Sequence, residues 1–146
     1  MHFREALLSD IDEIQKVRNL VKENKLSDPG VISDESCAVF LTERGKGWVC
    51  TVDKQVVGFS IIDLRDHNVW ALFLRPEFEG LGIGRKLHAM ALNWYFEQSK
   101  TPLWLSTAPQ TRAEQFYRTA GLTEVGMHGN ELKFEMHAEM WGELRT

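Results

Sequence analysis

The chain has 146 residues, 43% of them apolar and 26% charged, with a net charge of −4. This length suits one compact domain, residues 1–146, with a core of its own. The mildly acidic balance excludes the basic footprint of general nucleic-acid binding, and no apolar run approaches the ~18 residues of a membrane span.

His2–Leu7 reads as a strand, and Ser9 predicts the cap of a helix through about Glu23, with Ile11, Ile14, Val17 and Val21 inward. A loop with Pro29-Gly30 covers Asn24–Ile32. Ser33 predicts the cap of a second helix that ends near Arg44, with Gly45 beyond it. Gly47–Val52 and Gln55–Leu64 form a hairpin around Asp53-Lys54, and Val69–Leu74 is the next strand. Gly84–Gln98 is a long helix with Leu87, Ala91 and Trp94 inward, followed by a strand at Leu103–Thr107. Thr111–Ala120 is a short helix, and Thr123–Val125 with Glu131–Met136 makes a closing hairpin.

Cys37 and Cys50 stand apart and read as buried reduced thiols, and the five histidines form no metal pattern. No apolar leader follows Met1, so the expected location is the cytoplasm, with no metal, nucleic acid or membrane as partner.

Chemistry concentrates where the Val69–Leu74 strand meets Arg75-Pro76 and then Gly80, Gly82 and Gly84 at alternate positions. Glycine admits positive φ and close backbone approach. A helix start adds unpaired N–H groups and a partial positive charge. Strand, glycine turn and helix together make an anion site. Walker A fails, because Lys86 is followed by Leu87 and not by a hydroxyl. The dinucleotide fingerprint G-x-G-x-x-G fails on spacing.

Further on, Thr111 and Glu114 have the spacing of a capping box. Ala113, Phe116, Tyr117 and Ala120 follow on one helical face, with Gly121 to close it.

Glu79-Gly80-Leu81-Gly82-Ile83-Gly84 resembles the acyl-CoA motif [QR]-x-x-G-x-[GA] of the GNAT (GCN5-related N-acetyltransferase) superfamily. Ala113-x-x-Phe116-Tyr117-x-x-x-Gly121 resembles the superfamily's C-terminal motif. Glu79 departs from the usual Gln or Arg. Its side chain is expected to point outward, with Arg85 and Lys86 supplying positive charge. Gln110 stands where Asn is frequent, and Leu122 where an aromatic is usual.

The resemblance implies an α/β (α+β) fold with a mixed central sheet of about seven strands and about four helices. Acyl-CoA would lie between two splayed strands, Val69–Leu74 and Leu103–Thr107. It also implies transfer of an acetyl group from acetyl-CoA to the amine of a small molecule or peptide, and it is compatible with a homodimer. Leu72, Phe73 and Leu74 would line the acyl arm, with the Leu74 N–H on the thioester carbonyl. The Glu79–Arg85 segment (Glu79, Gly80, Leu81, Gly82, Ile83, Gly84, Arg85) would hold the pyrophosphate. Gln110, Ala113 and Phe116 would flank the pantetheine, and Tyr117 would act as general acid.

The general base is open among Asp63, Asp66, His67, Glu131 and water, and the acyl preference is also open. A non-catalytic CoA-binding sensor or scaffold is the competing reading, and retention of Tyr117 speaks against it.

Overall fold

The computed structural model of the chain describes residues 1–20 and 32–145. Seven strands are present: β1 (His2–Glu5), β2 (Gly45–Val52), β3 (Gln55–Asp63), β4 (Asn68–Leu74), β5 (Leu103–Thr107), β6 (Thr123–His128) and β7 (Glu131–Met136). They form one sheet in the order β1-β2-β3-β4-β5-β7-β6. All neighbours run antiparallel except β4 and β5. The β2–β3 turn uses Asp53 (φ 51°) and Lys54 (φ 67°), the double positive φ that matches the twist of a two-residue hairpin.

The helices are α1 (Ile11–Leu20), α2 (Asp34–Val39), α3 (Ile83–Gln98), α4 (Arg112–Thr119) and α5 (Ala138–Leu144). Four of these meet the expectation, and α5 is additional. Its Trp141 is buried, and the indole N–H donates to Asn93 Oδ1 on α3 at 2.9 Å.

The start of α1 is fixed by Asp10 rather than by Ser9. The Asp10 carboxylate accepts from the Leu7 N–H at 2.7 Å and from both Arg4 terminal nitrogens at 2.8 and 2.9 Å. Ile11, Ile14 and Val17 face inward as expected. Val21, Glu23 and most of the expected loop lie outside the described residues. Ser33 caps α2, accepting from the Ser36 N–H at 3.1 Å. The helix runs into a π-helical turn at Phe40–Arg44. Gly45 follows that turn as expected and begins β2, where a Cβ would stand 1.8 Å from the Ile62 carbonyl oxygen.

The sheet buries a cluster on each face. Between α1 and the sheet, Ile14 and Val17 pack on Val49, Phe59, Ile61 and Ala71. On the other face, Leu87, Leu92 and Tyr95 of α3 pack with Leu105, Phe134 and Met136. The inward stripe of α3 carries His88 and Tyr95 beside Leu87 and Ala91. Trp94, expected inward, is half-buried and meets Trp48 edge-on at 5.6 Å.

Two irregularities position the site. Ile61 pairs with Ala71 but Ile62 pairs with Val69, which leaves Trp70 as the extra residue of a β-bulge. A bulge re-aims the side chain it inserts. Trp70 joins the α1 face, where it stacks on Phe40 at 3.8 Å and 8°. In addition, β4 and β5 pair only at Asn68↔Trp104 among the described residues. Beyond that pair the two strands part toward their C-terminal ends. In open α/β sheets, ligands bind outside these carboxyl ends, where the strand order switches.

Candidate active site

Where β4 parts from β5, a cleft of about 310 Å³ opens between β4, the glycine segment and α4. β4 contributes Leu72, Phe73 and Leu74 to its lining. The segment after β4 contributes Glu79, Gly80, Gly82, Gly84 and Arg85. Across from them, α4 contributes Arg112, Ala113, Phe116 and Tyr117.

Gly80 and Gly82 sit at φ 78° and 84°, and a Cβ at either would meet nothing within 4 Å. Backbone conformation, and not space, therefore requires glycine at these two positions. Gly82 caps α3, whose first turn holds no acidic residue. The partial positive charge of a 16-residue helix is thus left for an anion at the cleft.

Leu74 is oriented by the ladder. The Arg75 N–H donates to the Val57 carbonyl on β3 at 2.8 Å. Successive N–H groups of a strand point to opposite sides, so the Leu74 N–H turns toward the opened seam.

The capping box of α4 forms in a shifted way. Thr111 Oγ1 accepts from the Glu114 N–H at 3.2 Å, and Glu114 Oε1 accepts from the N–H of Gln110 at 2.7 Å. The N–H of Gln110 is thereby engaged, and Gln110 is not among the cleft-lining residues. Leu81 is 58% exposed and Ile83 is 1% exposed in the core, so neither of these expected contacts lines the cleft.

Tyr117 is 6% exposed on the inner face of α4. Burial pushes its phenol above the ordinary tyrosine value, which keeps it protonated. His88 lies beside it, with ring centroids 6.1 Å apart.

Arg112 went unrecognised in the sequence. Its signal was present, because it stands four residues before Phe116 and next to Ala113 at the start of the inward stripe. Its Nε pairs with Glu79 Oε2 at 2.6 Å and ties α4 to the glycine segment. The expectation that Glu79 points outward is corrected: its side chain turns to Arg112, and both residues line the cleft. Lys86 reaches the Phe3 ring at 4.6 Å and is not among the lining residues.

The candidate bases divide by position. Asp63 is 1% exposed and accepts from Arg44 Nε at 3.1 Å, Arg44 Nη2 at 2.7 Å and the Arg65 N–H at 3.0 Å. Asp66 also accepts from Arg44 Nη2, at 2.9 Å. His67 Nδ1 lies 2.9 Å from the Tyr95 hydroxyl, which donates its proton to the Thr101 carbonyl at 2.8 Å. His67 Nδ1 is therefore the donor in that contact. These three residues flank the start of β4. At about 3.3 Å per residue, Asn68 is roughly 20 Å from Leu74. Glu131 begins β7, next to the Leu132↔Thr107 pair, at the same end of the sheet as the cleft. Its Oε1 accepts from Ser106 Oγ at 2.8 Å.

Among the described residues, no group of three or more His, Cys, Asp or Glu is placed to hold a metal, and no helix is long and apolar enough to cross a membrane.

A mixed sheet whose one parallel pair parts beside a glycine turn sets a cleft at the strand ends, and the comparison of sequences gives the chain its family. Residues 11–122 match the acetyltransferase (GNAT) family, and the chain belongs to it. A protein of Archaeoglobus fulgidus named an uncharacterized N-acetyltransferase is 32% identical over 96 residues. That match takes in 57% of this chain and 65% of the relative, so the chain spans somewhat less than two thirds of its length.

Solved structures share the fold. A GNAT-family acetyltransferase of Staphylococcus aureus Mu50 superposes with a TM-score of 0.80 at 18% identity, covering 94% of this chain and 98% of that one. The PaiA N-acetyltransferase of Thermoplasma acidophilum, solved with coenzyme A, gives 0.79 at 16%, covering 93% and 98%. The ribosomal-protein-S18-alanine N-acetyltransferase of Escherichia coli gives 0.71 at 16%, covering 92% and 90%.

Proposed function

We propose that the chain is an acetyl-CoA-dependent N-acetyltransferase acting on the primary amine of a small molecule or peptide within a ternary complex. The observation that carries this reading is the cleft at the end of β4, where that strand parts from β5 and faces α4. It has a positive-φ glycine turn and the α3 N-terminus on one side, and a buried protonated Tyr117 on the other. The Thermoplasma relative, solved with coenzyme A, supports the choice of donor.

The amides around Gly80 to Arg85 receive the pyrophosphate, and Arg85 and Arg112 add charge. The pantetheine lies along Leu72–Leu74 and against Ala113 and Phe116. The bound amine attacks the thioester carbonyl, and holding both partners in place removes much of the entropic barrier. The Leu74 N–H meets the developing oxyanion. As the C–S bond breaks, Tyr117 gives its proton to the thiolate. The amine's proton passes to water or to Glu131, the candidate carboxylate at that end of the sheet.

Thermal shift tests the donor site. Acetyl-CoA or CoA at 100 times its Kd should add ~2.7 kcal/mol, or about 5–10 °C for this size. ATP and NAD should add nothing. No shift with CoA species at millimolar concentration would sink the proposal.

Glu79 gives a second test. A carboxylate about 4 Å from a phosphate charge costs ~1 kcal/mol even in water. Glu79→Gln should therefore tighten CoA about five-fold by titration, since it also releases Arg112. A weaker Kd would mean that the Glu79–Arg112 pair is what holds Arg112 toward the ligand.

A further inference from the structure

Arg18 lies on α1, on the sheet face opposite the α3 helix, and its guanidinium is set over aromatic rings. Its Cζ is 4.9 Å from the Trp70 ring centroid, 5.3 Å from Phe73 and 5.9 Å from Phe59. Its Nε and Nη2 are shut off from solvent and have no hydrogen-bond partner among the described residues. No carboxylate forms an ion pair with Arg18 among the described residues. Its electrostatic neighbour is Cys37, whose burial pushes the thiol up and keeps it neutral.

Stacking on aromatic faces compensates the charge of a guanidinium. It leaves the N–H groups in the guanidinium plane with nothing to accept them. Nε and Nη2 form the side-on edge of the fork, the geometry that meets a carboxylate with two parallel hydrogen bonds. The chain uses the same edge elsewhere: Arg44 Nε and Nη2 hold Asp63 at 3.1 and 2.7 Å. At Arg18 no matching carboxylate stands among the described residues. The residue as a whole is half-buried, while Nε and Nη2 themselves meet no solvent.

Phe73 joins this edge to the cleft, because its ring is under Arg18 and the residue lines the cleft beside Leu74. Trp70 reaches the same face only through the bulge in β4. A buried donor pair left unmatched is costly, and an incoming acceptor on a substrate removes that cost. We propose that Arg18 receives a carboxylate of the acceptor, so that the substrate is an amine that also carries a carboxylate, either a free amino acid or a peptide with a free C-terminus. This rests on the acetyltransferase reading given above.

The test uses the full chain and a panel of free amino acids and dipeptides, each paired with its C-terminal amide. Binding is read by thermal shift with and without CoA, and turnover by thiol release from acetyl-CoA. The acid member of the favoured pair should bind, and should exceed its amide by tenfold or more in kcat/KM, with the difference in KM. The amino-acid and dipeptide arms identify the source of the carboxylate. Arg18→Met keeps the stem over the rings and should erase the preference, while the melting temperature holds or rises. Arg18→Lys should keep part of it. Equal treatment of acids and amides by the parent would overturn the proposal. So would a preference that survives Arg18→Met, or a melting temperature for that variant lower by more than about 5 °C, which marks a structural role. If CoA species fail to bind, the acetyltransferase reading falls by itself. Acid-against-amide binding without CoA then still decides the role of Arg18.

Discussion

Tyr117→Phe should bind acetyl-CoA as the parent does and lose about 10²–10⁴-fold in kcat, the range carried by a positioned proton donor. The ring stays in its place on α4 and only the hydroxyl goes, so the melting temperature should change little. Burial raises the phenol above its usual value, which by itself would make it a reluctant donor. The thiolate leaving in the same dry cleft is raised by the same desolvation, so the gap between donor and acceptor stays small. Pre-steady-state kinetics with a competent amine would separate chemistry from product release. An unchanged rate for the transfer step would remove Tyr117 from the mechanism and leave water as the source of the thiolate's proton.

The second large effect is on stability in acid. Burial pushes His88 down from 6.5 to about 4, and both ring nitrogens are buried without a hydrogen-bond partner among the described residues. Because the folded value is the depressed one, the unfolded chain binds more protons between these two values. Stability therefore rises with pH across that window and is lost as pH falls from about 6.5 toward 4. At 1.36 kcal/mol per unit, this one side chain accounts for about 3 kcal/mol. His88→Leu should match or exceed the parent at pH 7, because a neutral imidazole with two orphaned nitrogens is replaced by carbon. It should also lose far less stability between pH 6.5 and 4.5. Urea midpoints of both proteins at several pH values decide the matter. Parallel curves would show that His88 gains a partner or a solvent path on protonation.

What was legible in the sequence followed from local rules. Gly80 and Gly82 could be read because only glycine takes their φ at no cost, and α4 because its cap and carboxylate are three residues apart. The Asp53-Lys54 turn likewise rests on two adjacent residues. Ser9 was chosen as a cap by residue type, whereas the carboxylate that fixes this turn is held by Arg4, six residues earlier. The helix α5 has no side-chain cap and takes its place from packing Trp141 on α3, which no local pattern reveals.

The site was legible where backbone made it and less so where side chains meet across the fold. The Arg112–Glu79 pair joins residues that neither motif linked, and it reversed the expected direction of Glu79. Arg44 and Asp63 are nineteen positions apart, so the polar turn after β3 gave no sign that Asp63 is already committed. No local pattern singles out Arg18, because its place over the rings depends on the bulge that brings Trp70 to its face.

The parting of β4 and β5 has a cost unrelated to catalysis. It leaves two strand edges inside the sheet, and free edges are templates for other chains. The edge of β4 is short and is interrupted at Trp70, which limits how much of a foreign strand could align with it. If the donor fills that gap, it shields the protein from self-association as well as feeding the reaction. The protein would then be most prone to aggregate when its acyl donor is scarce.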